Sequence, residues 1–261
     1  MIKQGVGCFI HESAQISSES DIELGDHVYI GENVKILPGK LKIGDYSKIH
    51  SGTYINPQGG ISLGHLTWIG QNCIIDGTGG IKAGNYLGVG MGSSLYSHIR
   101  QGDISEGCRF DKNKSLIIGD DVWFVGMCLV SPIVAKDKSM AMLGSVITKN
   151  MEYNSIYGGN PSIDLTSKLG NQFREVSTDE KLKLVNYFIE EYKNIYKIDD
   201  IKVKVVTEYP EYLDKNFTYY NVSDRTYTKT NSEDEINLNK WMFKFKSKFI
   251  PNESINSYST L

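Results

Sequence analysis

The sequence is short of several features, and each shortage removes a class of protein. No stretch is strongly basic, and 28 Lys and Arg stand against 31 Asp and Glu for a formal net charge of -3. A nucleic-acid partner is therefore not expected. No apolar run approaches the roughly 20 residues of a membrane-spanning helix. The opening Met1-Ile-Lys-Gln-Gly also lacks the apolar core of a secretory signal. The four cysteines, Cys8, Cys73, Cys108 and Cys128, form no C-x-x-C pair. Their spacing suggests neither a disulfide framework nor a zinc site, and it fits free thiols in a reducing compartment. A cytoplasmic location is the expectation.

What the chain does have is an internal repeat. An aliphatic residue, a Gly and a polar residue recur at Leu24-Gly25-Asp26, Ile43-Gly44-Asp45, Leu63-Gly64-His65, Ala83-Gly84-Asn85 and Ile118-Gly119-Asp120. From each, apolar residues fall at every sixth position: Leu24, Ile30, Ile36; Ile43, Ile49, Ile55; Leu63, Ile69, Ile75; Ala83, Val89, Leu95; Ile118, Phe124, Val130. A second apolar residue stands two before each set from the second on, at Leu41, Ile61, Ile81 and Leu116. A period of six matches neither a helical face nor a simple alternating strand. It matches a triangular solenoid in which each hexapeptide makes one side and one corner, with aliphatic ladders inside. The Gly is expected to serve the turn, since it tolerates backbone angles that side chains resist. A single coil buries little, so stability comes from stacking neighbours.

On these hexads the chain resembles the hexapeptide-repeat acyltransferases of the sugar O-/N-acetyltransferase type, whose shared fold is a left-handed parallel β-helix. The resemblance covers roughly residues 9 to 164 and is strongest in Ile118-Gly-Asp-Asp-Val-Trp-Phe-Val-Gly-Met and Gly144-Ser-Val-Ile-Thr-Lys149. Tyr157-Gly-Gly-Asn-Pro-Ser162 matches the turn by which such chains leave the helix. The expected fold is mainly β: a β-helix domain over 1–164 and a small C-terminal α+β appendage over 165–261. Departures from the pattern lie at one corner. The first three coils run nineteen, twenty and twenty residues where three hexapeptides need eighteen, and the additions fall at Leu37-Pro-Gly, Pro57-Gln-Gly-Gly60 and Asp76-Gly-Thr-Gly-Gly80. After Val130 the pattern loses a residue.

Register breaks once, between Leu95 and Leu116, in a loop over 96–115. A loop of this length inside a regular solenoid tends to be functional. Relatives of this kind extrude an active-site loop there and keep a catalytic His where it leaves, and His98 matches that place. Acetyl transfer needs a nucleophile stripped of its proton as it attacks a thioester, and imidazole suits that task. Asp76, one coil earlier at the same corner, is a candidate to orient the imidazole, to bind a sugar hydroxyl or to cap a turn. Thr78, Tyr96, Arg100 and Asp103 are candidate acceptor contacts. Cys108 lies in the loop without a motif that would make it a nucleophile. The resemblance implies acetyl-CoA as co-substrate, lying between subunits of a homotrimer. By position, Trp123, Gly126, Gly144, Ser145, Thr148 and Lys149 match its contacts.

Some trimeric β-helices of this class are zinc enzymes with three imidazole ligands, two of them close in sequence. The five histidines here stand apart, so no metal is expected. His11, His27 and His50 sit at polar corner positions, and His65, in place of an Asp-like residue, has a structural reading. The implied activity is acetyl transfer to a sugar hydroxyl or amine. A serine-type amino-acid acetyltransferase and a non-catalytic β-helix scaffold are the alternatives. In the appendage, helices are expected over Ser177–Tyr196 and from Ser232 through Trp241 to Phe249. A strand is expected at Ile201–Val206, and a hairpin across Ser223-Asp224.

Overall fold

The computed structural model describes residues 1–244 and 246–256. The chain divides into two compact units, one ending at Arg174 and the other beginning at Glu175.

The first unit is a left-handed parallel β-helix with three sheets as its walls. Equivalent strands of successive coils pair in parallel with the hexad residues in register. Leu24 lies beside Ile43 and Ile43 beside Leu63; Ile30, Ile49, Ile69, Val89 and Phe124 follow one another, as do Ile36, Ile55, Ile75, Leu95 and Val130. All fifteen hexad residues are buried, and so are Leu41, Ile61, Ile81 and Leu116. Each fully buried Ile or Leu contributes about 1.5–3 kcal/mol of hydrophobic stabilisation. The solenoid is thus held by stacking of like on like.

The Gly after each aliphatic residue has a packing role, not the conformational one expected from sequence. Left-handed backbone falls two residues further on, at His27, Tyr46, Leu66, Tyr86 and Asp121. A Cβ on Gly44 would lie 2.5 Å from the backbone N of His65 and 2.6 Å from the carbonyl carbon of Gly64. The next coil simply passes too close. The polar residue that follows explains the rest of the motif. Asp45 Oδ1 accepts the Asp26 N–H (2.9 Å), His65 Nδ1 accepts the Asp45 N–H (2.9 Å), Asn85 Oδ1 accepts the His65 N–H (2.9 Å) and Asp120 Oδ1 accepts the Asn85 N–H (2.6 Å). These side chains satisfy corner amides that the sheet ladders leave out.

Coil length varies without disturbing the ladders. Ile81 pairs with Leu116 across the inserted segment, and the next coil closes in seventeen residues, with Ile118 beside Ala135. A further coil begins at Ile2, earlier than the resemblance reaches, with Ile2 beside Ile22 and Phe9 beside Tyr29. Gln4 stands there in line with Leu24, so the hexad pattern lacks its first mark. The helix ends where Ile156–Gly159 turns antiparallel onto Ser162–Asp164, across a cis Asn160-Pro161 bond.

The second unit packs helices Thr178–Tyr196 and Glu233–Met242 with a four-stranded sheet. Ser177 and Ser232 cap the helices, each accepting the N–H three residues on. Val203–Val206 runs parallel to Thr218–Asn221, which forms the expected hairpin with Thr226–Tyr227. The second helix is shorter than expected. It ends at Met242, and Ile250–Pro251 then adds a strand beside Thr226–Tyr227. Phe249, read as helical, is buried edge-on against Tyr220 at 5.1 Å. Burying that ring takes the chain away from the helix axis. Phe245, inside the expected helix, lies outside the described residues.

Candidate active site

The segment expected as a loop is a two-stranded hairpin. His98–Arg100 pairs antiparallel with Asp111–Asn113, setting His98 opposite Asn113. Its root is fixed by Ser97, which is fully buried. The Ser97 hydroxyl donates to the Asp76 carbonyl (2.9 Å) and accepts the Gly79 N–H (2.8 Å), while its own N–H also donates to the Asp76 carbonyl (3.0 Å). Its carbonyl accepts the Lys114 N–H (3.2 Å), tying the returning strand to the same point. Sequence reading passed over Ser97, whose only signal was its place between the last ladder residue and His98.

This root aims His98 at Asp76. Nδ1 of His98 lies 3.4 Å from Oδ1 of Asp76, inside ion-pair range and outside hydrogen-bond geometry. The imidazole is 27% exposed and the carboxylate 15%, so the pair is shielded and the ring still reaches solvent. A carboxylate only accepts, so its place beside Nδ1 favours the ring tautomer that carries its proton there. Tyr96 stands in register with Asp76, and its ring meets the imidazole edge-on at 6.4 Å. Asp76 also caps its turn: Oδ1 accepts the N–H (2.9 Å) and the hydroxyl (2.6 Å) of Thr78. Asn56, in register with Asp76 one coil earlier, donates its amide to the Thr78 hydroxyl at 3.2 Å.

The other hairpin residues stand further out. Arg100 is exposed on the first strand. Asp103 makes a turn at the hairpin tip, accepting the hydroxyl (2.7 Å) and the N–H (2.8 Å) of Ser105. Those bonds hold its carboxyl below the usual carboxylate range. Cys108 is half-buried, and its N–H donates to the Asp103 carbonyl at 3.1 Å.

The candidate CoA residues divide. Trp123 is 43% exposed, and Met127, Leu129, Met142 and Leu143 leave further apolar surface on the same late coils. Thr148 and Lys149 are exposed. Gly126 is buried, and its carbonyl accepts the Gly144 N–H at 2.9 Å. Gly144 has φ 73° and open space where a Cβ would stand. Ser145 is fully buried, with its hydroxyl donated to the Met142 carbonyl at 2.6 Å. Its side chain therefore serves the turn.

His65 belongs to the corner ladder. His50 lies between Tyr29 (5.8 Å) and Trp68 (5.1 Å), and burial, followed by the Lys48 charge, lowers its pKa. Among the described residues, no group of three His, Cys, Asp or Glu is placed to hold a metal ion, and no helix is long and apolar enough to cross a membrane.

The class defined by this architecture is the hexapeptide-type left-handed β-helix. No family model matches the chain. It is similar to a variant of AntD, an N-acyltransferase from Bacillus cereus, in complex with dTDP and coenzyme A, at 16% identity over 72% of this chain and 91% of that one (TM-score 0.45). It is also similar to a maltose O-acetyltransferase from Clostridium difficile 630, at 19% identity over 58% and 69% (TM-score 0.41). A third similar structure is a variant of perosamine N-acetyltransferase from Caulobacter crescentus in complex with CoA and GDP-perosamine, at 16% identity over 61% and 56% (TM-score 0.32).

Proposed function

We propose that this chain is an acyl-CoA-dependent acetyltransferase acting on a sugar hydroxyl or amine, with His98 as general base. One observation carries the reading: an imidazole at the root of a hairpin extruded from the solenoid, its Nδ1 facing the Asp76 carboxylate. The acceptor O–H or N–H gives its proton to His98 Nε2 as the oxygen or nitrogen bonds to the thioester carbonyl carbon. The tetrahedral adduct then expels the thiolate, which takes the proton from Nε2. Asp76 stabilises the imidazolium that exists between these steps. No covalent enzyme intermediate is needed.

Catalysis belongs to residues 1–164, within the first unit, and the unit that begins at Glu175 forms the appendage. Tyr96, Arg100 and Asp103 line the acceptor side. The apolar surface at Trp123, together with the backbone at Gly126, Gly144 and Ser145 and the side chains of Thr148 and Lys149, suits a pantetheine arm ending in phosphates, the lysine offering a point charge. The enzyme works in the cytoplasm as a homotrimer without nucleic acid. Phe9, Tyr29, Lys48 and Trp68 stand in register on one wall, and the exposed rings of Phe9 and Trp68 support assembly.

The test is thiol release from acetyl-CoA against a panel of sugars, nucleotide sugars and amino acids, for wild type and His98→Ala. Turnover with one sugar that falls about a hundredfold or more in the variant is expected. Equal turnover by both proteins refutes His98. Turnover with serine alone moves the acceptor class, and absence of turnover and of acetyl-CoA binding favours a scaffold.

A further inference from the structure

We infer that Thr78 is a positioning residue for the His98–Asp76 pair and does not contact the acceptor as its place in the sequence suggested. The inference rests on the reading of His98 as general base. The Thr78 hydroxyl is engaged on both sides. It donates to Asp76 Oδ1 at 2.6 Å and accepts from Asn56 Nδ2 at 3.2 Å. Its backbone N–H donates to the same Oδ1 at 2.9 Å. That oxygen is the one 3.4 Å from His98 Nδ1. Two donors on one carboxylate oxygen fix both side-chain torsions of Asp76, so the oxygen facing the imidazole cannot swing away. Hydrogen bonds to a charged group are among the stronger ones.

The local sequence leaves room for little else. Thr78 stands between Gly77 and Gly79, and both glycines are pressed against neighbouring coils. A Cβ on Gly77 would meet the Ile61 side chain at 2.5 Å, and one on Gly79 would meet the Ser97 carbonyl oxygen at 2.1 Å. Of these three positions, only the middle one carries a side chain, and that side chain is a hydroxyl bonded to Asp76. The added residues at this corner, a departure from the eighteen-residue coil, bring Thr78 back over Asp76. The Asn56 amide, donating from the coil beneath, leaves the hydroxyl proton to point at the carboxylate.

The experiment measures kcat and both KM values for Thr78→Val and Thr78→Ser, with His98→Ala as reference. Val keeps the shape and loses the hydroxyl; Ser keeps the hydroxyl. We expect Thr78→Val to lower kcat about tenfold with both KM values within about twofold, as for loss of alignment in the transition state. Thr78→Ser should recover to within about twofold of wild type. The inference is overturned if Thr78→Val retains wild-type kcat, if its only effect is a raised acceptor KM, or if Ser fails as badly as Val. Circular dichroism melts accompany each variant. Should the Val variant unfold, Thr78→Ala against Thr78→Ser, a pair that differs by the hydroxyl alone, gives the same decision. Loss of activity in His98→Ala beside a fully active Thr78→Val defeats this inference alone, whereas an active His98→Ala defeats the reading beneath it.

Discussion

Substituting Gly44 by Ala isolates the reason for the Gly in the corner motif. A Cβ there would lie 2.5, 2.6 and 2.8 Å from the His65 N, the Gly64 C and the His65 Cα. All three are backbone atoms, so no rotamer change relieves the contact and the coils must move apart. Overpacking of this kind costs about 1–3 kcal/mol. Moving the coils apart also stretches the Gly44 N–H bond to the Leu63 carbonyl (3.0 Å) and the Asp45 N–H bond to His65 Nδ1 (2.9 Å). Each such bond contributes about 0.5–1.5 kcal/mol. Together these terms reach about 2–6 kcal/mol, which for a unit of this size lowers its melting temperature by roughly 4–24 °C. Gly144→Ala is the control, because it has no atom within 4 Å of a Cβ and bears only the left-handed strain of φ 73°, about 1–2 kcal/mol. Differential scanning calorimetry on both variants reads the difference. If Gly44→Ala melts within about 2 °C of wild type, or loses less than Gly144→Ala, the close-approach argument is wrong.

Two further predictions concern stability. His65→Leu leaves the Asp45 N–H without its acceptor and should cost about 1–3 kcal/mol, whereas His65→Asn, copying what Asn85 does one coil on, should cost less than half of that; urea unfolding compares the two. In the second unit, Glu235 is fully buried and accepts the N–H and hydroxyl of Thr230 and the N–H of Asn231 through Oε2. Burial, the largest influence, nevertheless raises its pKa. A carboxyl whose pKa is raised on folding binds its proton more tightly in the folded state. Its stabilising contribution is therefore fully present below the unfolded value of about 4.3 and is lost as pH rises through the folded value. Melts of wild type and Glu235→Gln across pH 4 to 7 should show this slope in the wild type and a flatter one in the variant. Parallel curves would remove Glu235 from the account.

The fold was legible because a solenoid repeats its physics. An aliphatic residue every six positions marked the buried ladders, and all fifteen positions lie inside. The first side of the first coil escaped the repeat because Gln4 breaks the pattern, and the second helix was overextended because Phe249 carries an apolar signal without saying whether a helix or a strand buries it. The inserted segment followed from a break in register, which a linear pattern displays, and the family resemblance pointed to His98 at its start. Its company did not. Asn56, Thr78, Asp76, Ser97 and His98 span more than forty residues of chain, and their contacts depend on how far each turn of twenty residues lifts one corner over the last. The sequence by itself determined that the chain coils and which hexad residues turn inward, because periodic burial is a one-dimensional constraint. Tertiary structure alone decided which polar atoms meet at the corner, because hydrogen-bond geometry is set to tenths of an ångström by stacking between coils.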